Sequence, residues 1–306
     1  MQVTVFGGSG FLGSHVCDKL SEAGHAVTIF DIHPSPWLKP GQNMVTADVL
    51  DRAAVDAAVR GADVVLNYAG IADIGQANQS IVRTTELNVL GNSLILDACV
   101  RHKVRRFVFA STLYVYSRDG GFYRCSKQAC ELFIEHCQAT YGLEYTILRY
   151  GSLYGPRSDS RNAIYRFVRE ALEGRRISYF GHPTALREYV HVEDAARVTL
   201  EILEPQFANQ NIIITGNQPM QVGDLLRMLS EMLGGGIEFE FLDEGATGHY
   251  EITPYSFSPK IGRKLTPHIN IDLGQGLLKV IEDVHRELHP ELTGVQDLLL
   301  EKEESR

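Results

Sequence analysis

Tyr123 and Lys127 stand four residues apart in the run Phe122-Tyr123-Arg124-Cys125-Ser126-Lys127. On a helix, positions i and i+4 share a face. A phenol ionises near pH 10, so a tyrosine serves as a base at neutral pH only if its phenolate is stabilised by roughly 4 kcal/mol. A unit charge about 4 Å away in a partly shielded site supplies about that much. Lys127 is placed to be that charge, and the chemistry would be proton transfer by the phenol. The same spacing also describes a solvated lysine beside a half-buried tyrosine, so the elements that position the pair must decide.

The first of these elements opens the chain. Val3-Thr4-Val5-Phe6 reads as a buried strand, followed at once by Gly7-Gly8-Ser9-Gly10-Phe11-Leu12-Gly13 and then by a helical pattern from Ser14. Glycines at 7, 10 and 13 permit a tight turn, close backbone approach to a pyrophosphate and close packing of helix on strand. The helix N-terminus would then present unpaired N–H groups and its positive dipole end to the phosphates. A second strand, Ala26-Val27-Thr28-Ile29-Phe30, ends at Asp31, 18 residues beyond Gly13. A carboxylate there accepts hydrogen bonds from an adenosine ribose and repels a 2′-phosphate, which favours NAD over NADP.

Strands and helices go on alternating. Asp63–Asn67, Arg106–Ala110 and Tyr145–Leu148 read as strands, and 85–102 and 122–141 as helices. Such alternation predicts βαβ units, a parallel sheet and helices on both faces. Ligands of such sheets gather at the carboxyl ends of the strands, where Gly7, Asp31, Asn67, Ser111 and Thr112 all fall.

Composition bounds the rest. A chain of 306 residues can bury a large core in one domain or two. The net charge is −9 without a basic run, which argues against a nucleic-acid surface. Apolar runs fall short of the ~18 residues of a membrane span, and a strand expected from residue 2 leaves no room for a signal peptide. Cys17, Cys99, Cys125, Cys130 and Cys137 are odd in number and form no Cys-x-x-Cys, so reduced thiols in a cytoplasmic protein are expected. The 11 histidines show no ligand spacing, and no metal is expected.

Further motifs occur in order: Asp48-Val49, Asn67-Tyr68-Ala69-Gly70, Asn88 with Gly91, and Ser111-Thr112-Leu113-Tyr114-Val115-Tyr116. Tyr123-x-x-Ser126-Lys127-x-x-x-Glu131, the run Leu148 to Arg157, and Arg187-Glu188-Tyr189-Val190-His191-Val192-Glu193-Asp194 complete the series. Together with the glycine turn, they resemble the extended short-chain dehydrogenase/reductase family, in particular its NAD-dependent nucleotide-sugar epimerases and dehydratases. The resemblance implies a Rossmann-type doubly wound α/β fold. Residues 1–150 would bind NAD, and residues 151–306 would form a smaller α/β substrate-binding part, with segments near 187–200 returning to the core. It implies that Gly7, Gly10, Phe11, Leu12 and Gly13 cradle the pyrophosphate, that Asp31 meets the ribose, that Asp48 and Val49 meet the adenine and that Ala69 lies along the cofactor. Thr112, Tyr123 and Lys127 would be the catalytic set, with Lys127 also holding the nicotinamide ribose and depressing the tyrosine's pKa. Ser111, Ser152 and Arg187 would meet the substrate, Arg187 at its phosphates. The helices near 85–102 and 122–141 resemble the pair through which family members form homodimers.

Two departures narrow what the resemblance implies. Leu113 and Tyr114 stand where the family's dehydratases carry Asp-Glu, so 4-epimerisation or keto-reduction is favoured over 4,6-dehydration. Ser152 replaces a usual phosphate-contacting Asn, and Gly248-His249-Tyr250-Glu251-Ile252-Thr253-Pro254-Tyr255 replaces a segment that carries a phosphate-binding arginine. Arg157, Arg161 and Arg263 are the candidate substitutes. The expected activity is an NAD-dependent epimerase of a nucleotide-diphosphate sugar. The alternatives are an NAD(P)-dependent reductase of a keto-sugar or other carbonyl compound, a 4,6-dehydratase, or a non-catalytic NAD-binding protein.

Overall fold

A computed structural model describes residues 1–242, 263–265 and 270–289. Strand β1 (Gln2–Phe6) is the axis of the fold. Val3, Val5 and Phe6 are at most 1% exposed, as a strand covered on both faces requires. The glycine turn leads into α1 (Phe11–Glu22), and the chain returns as β2 (Ala26–Asp31) and β3 (Asn43–Thr46). Helix α2 (Arg52–Val59) starts at Asp51, whose carboxylate accepts from the amides of Ala53 and Ala54, and is followed by β4 (Val64–Asn67). Next come α3 (Ile74–Gln79), α4 (Ile81–Thr84), a π-helical turn over Thr85–Leu90 and α5 (Gly91–Arg101). The single helix expected over 85–102 is therefore a π turn joined to an α-helix. Strand β5 (Arg106–Thr112), a 3₁₀ turn (Leu113–Tyr116), α6 (Gly121–Tyr141) and β6 (Glu144–Tyr150) complete this half.

The second half runs β7 (Ser152–Tyr154), α7 (Ala163–Gly174), β8 (Arg176–Phe180), β9 (Leu186–His191) and α8 (Val192–Glu201). It continues through β10 (Gln210–Ile214), β11 (Pro219–Gln221), α9 (Val222–Met232), β12 (Glu238–Leu242), β13 (Arg263–Lys264) and α10 (Leu273–Leu288). The large sheet has eight parallel strands in the order β13-β10-β6-β5-β4-β1-β2-β3. This is the expected Rossmann-type doubly wound architecture. Strand order reverses between β1 and β4, which opens a crevice at their carboxyl ends.

Strand β9 does not join that sheet. It lies between β11 and β7 in a separate three-stranded sheet, while β8 pairs with β12. Val190 of β9 and Val192, Ala195, Ala196 and Val198 of α8 pack in one cluster with Val16, Cys17 and Leu20 of α1. A second core forms where α7, α9 and α10 bury Phe167, Val168, Leu225, Leu229, Val280 and Ile281. Each such side chain contributes about 1.5–3 kcal/mol when fully buried. The segment 248–255 and the acidic tail 301–306 lie outside the described residues, as does the side chain of Arg263. Among the described residues, no helix is long and apolar enough to cross a membrane, and no group of three or more His, Cys, Asp or Glu side chains could hold a metal ion.

Candidate active site

The turn after β1 is closed by backbone contacts that only glycine allows. Gly7 has φ +74°, and a side chain there would meet the amide nitrogen of Ala69 at 2.6 Å. A Cβ on Gly13 would lie 2.1 Å from the Gly7 carbonyl oxygen. Gly10 donates its N–H to that same oxygen at 3.2 Å and accepts from Ser14 N at 2.9 Å. Helix α1 then begins with Phe11 and Leu12 and has no side-chain cap. A bare cradle against an uncapped helix N-terminus fits a pyrophosphate, whose charge the dipole end favours.

Asp31 ends β2 and lies beside this turn. Its carboxylate oxygens accept from Ser9 N at 3.0 Å and His33 N at 3.1 Å. Asp48 accepts from Leu50 N at 2.9 Å, and Val49 is held where a Cβ on Gly91 would strike it at 2.6 Å. Ala69 donates to the Asn67 side chain at 3.0 Å, which in turn donates to Asn92 at 3.0 Å. Gly7, Asp31 and Ala69 thus line the carboxyl ends of β1, β2 and β4, at the reversal of strand order.

The hydroxyl and the two candidate proton-transfer groups meet at the end of β5. Thr112 is 5% exposed. Its hydroxyl accepts from Tyr114 N at 3.3 Å and lies close enough to the Tyr123 phenol to favour its ionised form. Lys127 donates to the Ala110 carbonyl at 2.8 Å, and its ammonium lies 4.6 Å from the centre of the Phe109 ring and 5.8 Å from that of Tyr123. Burial pushes the Tyr123 phenol up to about 12, and the nearby Thr112 hydroxyl only partly opposes it. Burial also brings Lys127 down to about 8, against the upward pull of Cys130 and Glu131. Here the expectation from spacing needs correction. The protein's own groups bring the pair together, but desolvation outweighs their help and the phenol stays above its ordinary value.

The residues expected at the substrate divide. Ser111 is 3% exposed, and its hydroxyl donates to Glu131 at 2.6 Å. Ser152 starts β7, in register with Tyr189 of β9. Arg187 is 8% exposed on β9 and donates to the Leu186 carbonyl at 2.8 Å. Of the candidate substitute arginines, Arg157 binds Asp18 at 2.7 Å and stacks 4.7 Å from the centre of the Trp37 ring. Arg161 is paired with Asp159, two residues away. Both are engaged within the protein. A separate cavity of about 740 Å³ opens between β9, β11 and the starts of α9 and α10, lined by Tyr189, His191, Thr215, Asn217 and Gln221 among others. Thr112, Tyr123 and Lys127 do not line it.

The contacts of three motif residues escaped the sequence reading. The Tyr114 ring meets Tyr123 edge-on at 6.3 Å, beside Gly120, where a Cβ would strike it at 2.8 Å. Asn88, on the π turn, accepts from Ile71 N at 2.7 Å and donates to Ser126 at 2.9 Å, tying the loop after β4 to α6. Glu131 and Arg149 form an ion pair at 2.8 Å with neither side chain exposed. Glu131 carried a signal, since it stands one helical turn after Lys127 on the same face; its partner depends on sheet register.

The NAD dependent epimerase/dehydratase family matches residues 3–215. A putative UDP-glucose 4-epimerase of Methanocaldococcus jannaschii is 26% identical over 91% of this chain and 97% of its own length. A UDP-N-acetyl-alpha-D-glucosaminuronate decarboxylase of Bacillus cytotoxicus is 29% identical over 70% and 74% of the two chains. The crystal structure of the UDP-glucose 4-epimerase of Thermotoga maritima with UDP-glucose superposes with a TM-score of 0.82 at 25% identity, covering 94% of this chain and 100% of that one. The cradle, the carboxylate at the end of β2 and the Thr-Tyr-Lys cluster stand on the fold these proteins share: the chain is an NAD-dependent enzyme of the epimerase/dehydratase family.

Proposed function

We propose that the protein is a 4-epimerase of a nucleotide-diphosphate sugar. The observation that carries this reading is the meeting of Thr112, Tyr123 and Lys127 at the end of β5, with only β4 between it and the strand that carries the glycine cradle. Gly7, Gly10, Phe11, Leu12 and Gly13 would hold the pyrophosphate of NAD, Asp31 the ribose, Asp48 and Val49 the adenine, and Ala69 and Lys127 the nicotinamide end. The nicotinamide supplies a hydride acceptor and donor next to the sugar carbon. Tyr123 removes the hydroxyl proton from that carbon and later returns it. Thr112 hydrogen-bonds the same oxygen and keeps it in line with the phenol. Lys127 lends charge to the phenolate and anchors it from one helical turn away.

The two positions after Thr112 favour epimerisation over elimination. Leu113 is 1% exposed and Tyr114 packs on Tyr123, so no carboxylate follows the threonine to protonate a leaving hydroxyl. Ser152 and Arg187 sit on neighbouring strands of the β7–β9 pair, which supports a substrate-binding role for the half from residue 151 onward. Exposed Leu90, Leu132, Phe133 and Tyr141, on the π turn before α5 and on α6, support a homodimer through these helices. Free thiols at all five cysteines support a cytoplasmic setting.

The test is a panel of UDP-, GDP-, CDP- and dTDP-sugars incubated with enzyme and NAD and read by NMR for an inverted stereocentre. Inversion at one carbon without net change in nicotinamide absorbance is expected. Net consumption of reduced cofactor would instead identify a reductase, and no turnover across the panel would remove the nucleotide-sugar reading.

A further inference from the structure

The Glu131–Arg149 pair is built more elaborately than a filler of the core. Arg149 donates through Nε to Oε1 of Glu131 at 3.0 Å and through Nη2 to Oε2 at 2.8 Å, a side-on, two-bond arrangement. Its Nη1 donates to the Tyr116 hydroxyl, and its guanidinium lies 4.8 Å from the centre of that ring. Ser111 stands beside Arg149 in the register of β5 with β6 and donates to the same Oε1 at 2.6 Å. Four elements therefore converge on one carboxylate: α6, β5, β6 and the 3₁₀ turn. Three of them carry or adjoin the catalytic set. Glu131 is one turn from Lys127, Ser111 precedes Thr112, and Tyr116 closes the turn that Thr112 opens. A buried ion pair is an expensive way to hold a core together, and well-packed apolar residues often do as well or better.

We propose that the buried Glu131–Arg149 pair is a positioning device for the reaction, fixing Thr112 and Lys127 relative to Tyr123 through Ser111, Tyr116 and the catalytic helix. This rests on the reading of those three residues as the catalytic set. None of the four clamp residues touches substrate in this role, so Ser111 acts through its neighbour. The clamp also has an electrostatic arm. Lys127 is faced by Tyr123, Cys130 and Glu131 from its own helix and by the Ala110 carbonyl and Phe109 ring from β5, with Arg149 of β6 behind Glu131. Loss of the Glu131 charge lets Lys127 lose its proton at lower pH.

Four variants test this with the nucleotide sugar that the panel shows to be turned over. Ser111→Ala deletes one hydrogen bond and folds most safely. A drop in kcat of about tenfold at unchanged KM is expected, the order of a hydrogen bond to a charged group. A raised KM at unchanged kcat would show instead that Ser111 meets the substrate, and overturn its place in the clamp. Glu131→Gln should move the rising limb of the pH profile down by about one unit and lower its plateau. A folded variant with the wild-type limb and plateau refutes the electrostatic arm. Should Glu131→Gln fail to fold, Glu131→Met with Arg149→Leu replaces the pair by apolar volume. At equal Tm, hydrogen exchange over residues 110–116 should rise at least about tenfold; unchanged exchange overturns the clamp. Tyr123→Phe is the reference. Full activity there sinks the catalytic reading itself, while the exchange measurement, which needs no turnover, still decides the clamp.

Discussion

Replacing Lys127 by Met isolates what the lysine charge does for Tyr123. Taken singly, the phenol sits at about 12 and the ammonium at about 8. When the pair loses its first proton, leaving Lys127 charged and Tyr123 ionised is disfavoured by about 12 − 8 = 4 units before the two charges interact. Taking 5.8 Å as their separation and an effective dielectric constant of about 20, attraction returns about 2.9 kcal/mol, or about 2 units. Roughly 1% of the singly deprotonated pair then carries the phenolate. The methionine variant keeps the phenol and loses the attraction, so below about pH 8 its turnover should be about 100-fold lower than wild type.

The gap must depend on pH in a particular way. Above about pH 8 the wild-type pair has given up its first proton and its activity levels off, while the variant still gains about tenfold per unit. The ratio should fall to about tenfold near pH 9 and close near pH 10. The assay is initial-rate NMR at saturating NAD and substrate, from pH 6 to pH 10 in about half-unit steps. The direct effect of bound cofactor on Tyr123 is common to both proteins and drops out of the ratio below about pH 8. Stability is the control. Folding holds Lys127 below its unfolded value, so between about pH 8 and about pH 10.4 the native state binds fewer protons and gains stability as pH rises. At neutral pH the buried charge is a cost, and methionine should leave Tm unchanged or raised. A ratio constant from pH 6 to pH 10 would falsify the view that Lys127 acts on Tyr123 by charge.

Other perturbations follow from single contacts. Gly13→Ala forces a Cβ to within 2.1 Å of the Gly7 carbonyl, a backbone atom that cannot swing away; a loss of about 1–3 kcal/mol in thermal unfolding and of most NAD affinity by calorimetry is expected. In Asp31→Asn one side-chain position becomes a donor facing the amides of Ser9 or His33. NAD should bind about tenfold more weakly while NADP gains relative to it, and an unchanged NAD-to-NADP ratio of Kd values would remove Asp31 from the ribose site. Leu132→Glu, on a side chain 59% exposed on α6, should convert a dimer to monomer in sedimentation at unchanged Tm; a monomeric wild type at micromolar concentration ends the dimer proposal.

What could be read in the chain and what could not have separate physical origins. Gly7, Gly13, Asp31 and the Tyr123–Lys127 spacing are local: each depends on a strand end or one helical turn, and periodicity places those within a few residues. The alternation of elements likewise disclosed a parallel sheet. Register was not legible, because it is set by side chains packing across strands. Hence Glu131 could be placed on the lysine's face of α6, but Arg149, opposite Ser111 on β6, could not be given to it. The π turn around Asn88 was hidden for the same reason, since a helical pattern over 85–102 reads alike with or without one extra residue in a turn. The direction of the Tyr123 shift was missed differently. Spacing reveals the neighbouring charge, whereas desolvation comes from the whole fold around it.

That last point separates two ways in which the site can be damaged. If Lys127 moved from 5.8 to about 6.8 Å from the Tyr123 ring, the attraction would fall from about 2.9 to about 2.4 kcal/mol, only about twofold in rate. Charge is therefore forgiving of small displacements, and the hydrogen bonding proposed for Thr112, which weakens steeply as distance and angle depart from the ideal, is not. A variant that loosens the frame, such as Ser111→Ala, should lose the same factor at every pH, because it disturbs the Thr112 geometry and leaves both titrating groups in place. Lys127→Met, which removes charge, should lose a factor that vanishes towards pH 10. Glu131 belongs to both classes, tied to Ser111 by a hydrogen bond and to Lys127 by charge. Its glutamine variant should combine a pH-independent loss with a displaced limb, and the two parts can be read from one profile.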